Sequence, residues 1–237
     1  MEKTKFYKAI FIFFCIVFFS FKVFAEINVG EKLIYNVQIG VFSAGTQIVH
    51  VKEKTDINSK PVYHIISQTK TNSFFSVFYK MDNTVEAFVD EDSFSLRKLT
   101  KDLNEGSFKQ KSTVVLNLES SKAEATRDGI SEIFNVPSFV LDIISMPYYL
   151  RSISLKPGQK ILLNILVDNS VKVYEAKVEA KEVLSTIFGR VGTFRVVEDK
   201  EKIKVWITDD LRRLPVKISV GTNFGEIVGV LTKIERN

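Results

Sequence analysis

Alternation of apolar and polar residues is the dominant pattern along this chain. The apolar face of the first such segment consists of Leu33, Tyr35, Val37 and Ile39. Period-two alternation is typical of a β-strand with one buried face. Similar segments recur at intervals of roughly ten residues, separated by polar turns such as 56–60 and 168–170, and this spacing predicts a mainly β fold.

The predicted strands are too numerous for one flat sheet. The clearest of them are 33–39, 47–53, 62–71, 161–167, 171–183, 203–207, 216–220 and 226–234. Counting the weaker segments gives about twelve strands, and a twisted sheet of that size curls, closes or splits into layers. The sequence therefore predicts a strongly curved antiparallel sheet or a β-barrel.

One segment departs from the strand pattern. Residues 138–146 follow Pro137, and Phe139, Ile143 and Met146 are spaced as on one face of a helix. Pro137 or Ser138 can begin such a helix, and Pro147 marks its boundary or a kink. We expect one helix of about three turns, packed against the concave side of the sheet or plugging a barrel end. A weaker helical turn at 73–79 is an alternative to an aromatic strand there.

The N-terminus has the organisation of a secretory signal peptide. Three lysines precede the uncharged apolar run 9–21, and Val23-Phe24-Ala25 follows with the small-x-Ala pattern of a cleavage site. The run is short for a membrane-spanning helix, which needs about 20 residues, so an uncleaved anchor is the lesser alternative. Lipidation at Cys15 is disfavoured by the bulky Phe14 before it. We therefore expect cleavage after Ala25 and a single β-rich domain, 26–237, in the periplasm or outside the cell, with transient membrane contact through the signal peptide.

Removal of the leader changes what the composition implies. The chain has 33 basic and 28 acidic residues and a net charge of +5, and residues 1–25 contain four of the basic residues and one acidic residue. The remainder is nearly neutral, so the basic balance is weak evidence for a nucleic-acid partner and we expect none. Cys15, the only cysteine, leaves with the leader. Disulfides, thiolate chemistry and a Cys-based zinc site are thereby excluded from the mature domain.

Short motifs spread over the chain resemble those of a known family. They are Gly30-Glu31-Lys32-Leu33 with Tyr35, Gly40, Ala44-Gly45, Thr71-Asn72-Ser73-Phe74, Phe78-Tyr79-Lys80, Val85-Glu86, Val89-Asp90, Asp142, Ser145, 148–151, Gly192, Phe194 and 206–216. In this order and spacing, over 30–235, they resemble the exported bacterial family called domain of unknown function 3108. The resemblance implies an envelope-located, β-rich protein. It supplies no catalytic residue, substrate or cofactor.

The most specific of these motifs contains a pair of adjacent carboxylates. The set is Trp206, Thr208, Asp209, Asp210, Arg212, Arg213 and Pro215. Neighbouring strand residues point to opposite faces, so two carboxylates that divide acid and base roles or bind a cation would need a turn here. The flanking strands indicate such a turn, in which Asp and Thr side chains bond backbone groups and Pro starts the next strand. We interpret the set as a structural corner rather than a metal or catalytic site; a partner-binding knob is a further alternative.

The two histidines are weak candidates for chemistry. His50 and His64 lie in neighbouring predicted strands, where two imidazoles could begin a metal site. Their apolar strand neighbours are more typical of structural sheet histidines, so we predict no metal. The chain also has no Gly-x-Ser-x-Gly elbow, phosphate loop or dinucleotide fingerprint.

Aromatic residues supply the remaining candidate site. The predicted ligand-binding residues are Phe74, Phe78, Tyr79, Tyr148, Tyr149 and Arg151. Ordinary core packing is the simpler explanation of such rings. The functional hypothesis is an apolar cavity lined by them and gated by the helix, in which Arg151 meets an anionic head group or caps the helix.

Three hypotheses about function follow. The first is a non-enzymatic envelope protein that binds a lipid-like or envelope-derived ligand, by analogy of fold with periplasmic lipoprotein carriers. The second is an assembly factor that binds an envelope protein through exposed strand edges. The third and weakest is a hydrolase that uses Asp209, Asp210 and Glu86.

Overall fold

The computed structural model describes residues 27–198, 200, 202–222 and 225–236. The predicted leader and the cleavage site after Ala25 lie outside these residues. The described residues form fourteen strands, one α-helix and a short 3-10 turn at Phe75–Val77. The elements are β1 (Lys32–Ile39), β2 (Phe42–Ile57), β3 (Lys60–Thr71), β4 (Asp82–Asp90), β5 (Leu96–Glu105), β6 (Phe108–Asn117), β7 (Lys122–Arg127), β8 (Ile130–Asn135), α1 (Ser145–Ser152), β9 (Lys160–Val167), β10 (Ser170–Thr186), β11 (Gly189–Glu198), β12 (Ile203–Thr208), β13 (Pro215–Thr222) and β14 (Gly225–Glu235).

All fourteen strands belong to one antiparallel sheet. Its order is β8-β7-β6-β5-β4-β3-β2-β1-β14-β13-β12-β11-β10-β9, so two meanders meet where the first strand pairs with the last. β8 and β9 are the edges, and the chain between them contains α1. The predicted antiparallel, mainly β fold is confirmed, with fourteen strands in place of about twelve.

The sheet curls so that its two edges approach each other without closing. Asn169, in the turn between β9 and β10, donates a hydrogen bond of 2.8 Å to Glu132 in β8. Leu141 forms a parallel bridge to Ile165 of β9, and the Val140 carbonyl accepts from Leu96 N at the start of β5 (2.7 Å). The segment before α1 therefore crosses the interior between the two halves of the curl. The expected curved sheet is confirmed as an open one.

The helix is displaced from the predicted segment. The prediction of a helix over 138–146 is wrong, because Val140 and Leu141 are extended and use their backbone groups to bond β5 and β9. A turn follows in which Asp142 Oδ1 accepts from Ser145 N and Ser145 Oγ accepts from Asp142 N, at 2.8 and 2.9 Å. This reciprocal pair leads into α1. Pro147 lies in the first turn of α1, where the missing N–H is not needed, and does not end the helix.

The interior contains two hydrophobic clusters, one on each side of the segment that carries α1. The larger packs Tyr148 against the inner face of the first seven strands and against β14. The smaller packs Met146 and Leu150 against β9 to β12. A helix buried on both sides fills the interior, as a plug does in a small barrel.

The two ends of the sheet carry different turns and segments of the chain. Because successive strands are antiparallel, the β1–β2, β3–β4 and β5–β6 turns lie at one end, which we call the rim end. The segment 136–159 with α1 and the corner 208–215 lie at the opposite end, which we call the helix end.

Candidate functional site

A fully buried ion pair joins α1 to the chain just before β1. Arg151 Nη1 and Nη2 donate to the two carboxylate oxygens of Glu31 at 2.5 and 3.2 Å, and the two side chains are 1% and 0% exposed. Arg236 approaches the same carboxylate at 3.4 Å from the C-terminal end. The pair fixes the helix against both ends of the described chain.

Two buried tyrosines surround this pair. Tyr35 donates its hydroxyl to the Pro215 carbonyl at 2.9 Å, and the guanidinium carbon of Arg151 lies 5.3 Å from the Tyr148 ring centroid. Burial raises the pKa of both phenols well above their usual value. Burial alone would lower the pKa of Arg151, but its bonds to Glu31 outweigh that effect and raise it. Arg151 is therefore a permanent cation whose charge is matched inside the protein.

The corner at the helix end is organised around Asp210. Its Oδ1 accepts from Thr208 Oγ1 and from Arg212 N, both at 3.0 Å, and its Oδ2 accepts from the Arg212 guanidinium at 2.5 Å. Arg213 has a positive φ of 48° and donates to the Ile153 carbonyl at 2.6 Å. The turn thus carries β12 into β13 and attaches the corner to the chain after α1.

The other corner residues point to different neighbours. Asp209 pairs with Lys181 at 2.7 Å and lies over Gly192, where an added Cβ would approach its Oδ1 to 3.0 Å. Trp206 donates its indole N–H to Glu182, and Pro215 begins β13. The two adjacent carboxylates therefore face separate partners and do not share a ligand position.

We expect the Asp210 bonds to contribute pH-dependent stability. Partial burial would raise the pKa of Asp210, but the bonds from Arg212 and Thr208 outweigh it and hold the pKa below its ordinary value. The folded-state pKa is lower than the unfolded-state pKa of about 3.9. The stability is therefore fully present above the unfolded-state pKa and is lost as the pH falls through the folded-state pKa.

The Asp210→Asn variant should accordingly be less stable than the wild type by about 0.5–1.5 kcal/mol at neutral pH. The difference should shrink as the pH falls below about 4. Urea unfolding at several pH values measures it. Asp92→Asn, at an exposed turn between β4 and β5 where the backbone φ is not positive, is the control and should show little difference. A constant deficit for Asp210→Asn at all pH values would contradict the ionic role.

The histidines do not form a joint site. His64 bonds Glu86 through Nε2 at 2.6 Å and Glu53 through Nδ1 at 3.3 Å, and its ring stacks on Phe88. His50 lies opposite Ile66 in the β2–β3 register rather than opposite His64. No group of three or more His, Cys, Asp or Glu side chains in the described part of the chain is arranged to hold a metal ion.

At the rim end, three neighbouring turns are tied together by hydrogen bonds. Asn72 N and Nδ2 donate to the Ala44 and Ser43 carbonyls at 2.9 and 2.6 Å, which joins the β3–β4 turn to the β1–β2 turn. Gly106 N donates to the Lys80 carbonyl at 2.7 Å, and this bond joins the β5–β6 turn to the β3–β4 turn. The 3-10 turn itself is closed by Asn72 Oδ1, which accepts from Phe75 N at 2.9 Å.

These turns display large apolar side chains to solvent. We call the following set, whose members are 49–89% exposed, the apolar rim: Val41, Phe42, Phe74, Val77, Phe78, Tyr79 and Phe108. Phe74 and Phe78 pack edge to face with centroids 5.7 Å apart, and Tyr79 donates its hydroxyl to Glu105 at 2.9 Å. Exposed apolar side chains gathered on neighbouring turns in this way are typical of interaction sites in folded proteins.

The structure separates the six predicted ligand-binding residues into two groups. Phe74, Phe78 and Tyr79 belong to the apolar rim. Tyr148 and Arg151 are buried at the helix end, and Tyr149 is half-buried there with its ring 5.0 Å from Phe139. The predicted single cavity, lined by both groups and gated by the helix, is not formed, because a whole strand length lies between the two ends. Arg151 meets Glu31 rather than an external head group.

The described structure contains three cavities that the rim side chains do not line. The apolar one, between α1 and β9 to β12, is about 10 Å³ and holds no more than one water. A second, also about 10 Å³, lies under the β9–β10 turn, and an open surface groove of about 600 Å³ runs beside β10 near Gly158 and Arg195. The rim side chains line none of the three.

Sequence reasoning missed several residues of these two ends. Val41, Phe42 and Phe108 carried a local signal, since they are large apolar residues beside glycine turns, where polar residues are usual. Glu31 carried no such signal, because its partner lies 120 positions away in the chain.

Fold and site together define an open, barrel-like antiparallel sheet with an internal helix at one end and an exposed apolar rim at the other. The chain belongs to the family described as "Protein of unknown function (DUF3108)", whose model matches residues 34–232. In structure it is similar to a β-barrel-like protein of domain of unknown function DUF1849 from Brucella abortus. That similarity has a TM-score of 0.56 at 10% identity, over 88% of this chain and 98% of that one. No curated protein is significantly similar to the chain.

Among the described residues, no helix has the length and apolar character needed to cross a bilayer.

Proposed function

We propose that this protein is an exported component of the bacterial cell envelope that acts by binding a hydrophobic partner at the apolar rim, without catalysing a reaction. One observation carries the proposal: seven exposed apolar side chains stand on three turns that hydrogen bonds hold together. Burying each such side chain on a partner gains up to about 1.5–3 kcal/mol. The N-terminal pattern of charge, apolar run and small residues supports export.

The carboxylates considered for hydrolysis support binding over catalysis. Asp210 is occupied by Arg212 and Asp209 by Lys181, and Glu86 is bonded to His64. Glu86 lies in β4, which five strands separate from β12 in the sheet order. A pair of carboxylates that divides acid and base roles must flank one substrate bond, and these three are not arranged around a common point.

Photo-crosslinking in the producing cell tests this proposal. A benzophenone amino acid is placed at Phe78 in the rim, and separately at Leu162 on β9, which is exposed to a similar degree (75% and 66%). We expect an adduct from position 78 and none from position 162. Adducts at neither position, or equal yields at both, would overturn the proposal.

A second candidate, binding of an envelope protein by strand addition, rests on the edge strand β8. Among the described strands, β8 pairs with β7 alone, and Ile133 on β8 is 68% exposed. An unpaired edge offers backbone donors and acceptors to an added strand. The same crosslinker at Ile133 tests this candidate: a protein adduct there, without one at position 78, would favour it over the rim.

A further inference from the structure

We infer that the partner of the apolar rim is the surface of an anionic lipid bilayer, into which the rim side chains insert. The inference rests on the proposed function and adds the chemical class of its partner. It is carried by the shape of the rim, by the kinds of side chain on it and by the charges beside it.

The shape of the rim favours an extended partner over a small ligand. Small-molecule sites are concave and enclose most of their ligand. The rim side chains instead stand on turns at the end of a sheet, remain 49–89% exposed, and line none of the three cavities described above. A surface that projects and encloses nothing can bury its side chains only against something broad and deformable, or against a complementary protein.

The composition of the rim favours lipid among the broad partners. Four of the seven side chains are Phe. Tyr79 is the fifth aromatic residue, and its hydroxyl donates a hydrogen bond to Glu105 at the base of the turn. Phe is among the side chains that interfacial segments of proteins bury at the boundary between head groups and acyl chains, and Tyr is enriched at that boundary. The bonds of Asn72 to Ser43, Ala44 and Phe75 fix the turn before any partner arrives, so insertion costs little ordering entropy.

Beside the rim, four lysines stand against three carboxylates, of which Glu105 accepts hydrogen bonds from Tyr79 and Asn83 at 2.9 and 2.6 Å. Lys80 follows Tyr79, Lys109 follows Phe108, and both are exposed and form no ion pair with any described residue. Lys70 and Lys111, behind them, are paired with Asp82 and Asp102 at 3.2 and 2.9 Å. Lysines at the base of an apolar projection can extend to phosphate groups while the rings enter the acyl region.

Flotation with lipid vesicles tests the inference on the purified mature chain. The probe is a vesicle of phosphatidylethanolamine with phosphatidylglycerol, compared with one of phosphatidylcholine alone. We expect the wild type to float with the anionic vesicles, and the Phe74→Ser/Phe78→Ser variant to bind them at least about tenfold more weakly, as loss of two inserted rings requires. Lys80→Gln/Lys109→Gln should weaken binding to anionic vesicles and leave binding to neutral ones unchanged.

The matched control is Leu162→Ser/Val173→Ser, which removes two apolar side chains, each 66% exposed, from β9 and β10. Its binding should equal that of the wild type, and all variants should keep the wild-type urea transition, because the substituted side chains are exposed. Failure of the wild type to float, or equal binding by the rim variant, overturns the inference. A protein adduct from position 78 without flotation overturns the bilayer and leaves the proposed function standing. No adduct at position 78 removes both.

Discussion

Replacing Arg151 by methionine is expected to lower the free energy of unfolding by about 3–5 kcal/mol. Glu31 and Arg151 are 0% and 1% exposed and bonded at two points, so the substitution leaves a buried carboxylate whose remaining cation among the described residues is Arg236 at 3.4 Å. A charge deprived of its partner inside a protein retains its desolvation cost and loses its compensation. Urea unfolding followed by circular dichroism measures the change.

Two comparisons separate this effect from ordinary loss of packing. Glu31→Leu/Arg151→Met removes both charges and should recover most of the loss, since buried pairs are often replaceable by apolar side chains. Lys160→Met breaks the exposed pair with Glu175 (2.7 Å) and should cost less than about 1 kcal/mol. If Arg151→Met costs no more than Lys160→Met, the buried pair does not fix the helix as described.

Replacing Gly45 by alanine is expected to destabilise the protein by about 1–3 kcal/mol or more. A Cβ on Gly45 would lie 2.2 Å from the Lys70 carbonyl oxygen of β3, so one of two hydrogen-bonded strands must move. Backbone cannot yield as the end of a flexible side chain does. The shift would also disturb Asn72, which joins the β3–β4 turn to the β1–β2 turn through Ala44.

Gly229→Ala is a close control for this prediction. Gly45 and Gly229 both lie opposite Val37, one in β2 and the other in β14. A Cβ on Gly229 would meet Tyr35 Cβ at 3.7 Å, an ordinary contact. Alanine at position 229 should leave the free energy of unfolding unchanged or raise it by up to about 1 kcal/mol, because it restricts the unfolded chain. Equal melting temperatures for the two variants would show that β2 and β3 are not as closely packed as described.

The sheet was predictable because its signal is local. Alternation within a segment fixes which side chains face inward, and a short polar turn such as 168–170 implies that the flanking strands pair. The β9–β10 hairpin follows this rule. The pairing of β1 with β14 carries no local signal, and it is this pairing that makes one curled sheet out of two meanders.

The helix was misplaced because a short apolar run fits either a helix or a buried extended segment. The spacing of Phe139, Ile143 and Met146 fits a helix, but the backbone between them bonds β5 and β9 instead. The turn that starts α1 depends on Asp142 and Ser145, three residues apart, and Pro147 follows within its first turn. Pro147, which was predicted to mark the end of a helix, instead lies in the first turn of α1.

At each end of the sheet, some residues could be identified from local sequence and others could not. The segment 74–79 identified part of the rim from sequence, because its six residues are consecutive in the chain. The contributions of Val41, Phe42 and Phe108 follow from the order of the strands, which brings the three turns together. Arg151 was identified from the sequence, but its role depends on Glu31, which lies 120 positions away in the chain.

The claim on which the account depends is that the rim, and not the helix end or the outer face of the sheet, contacts the partner. Crosslinking yield at position 78 relative to position 162, measured in the living cell and normalised to the amount of protein, tests it most directly. The account predicts a product from the rim position alone. Products in equal yield from both positions, or from position 162 alone, would contradict it.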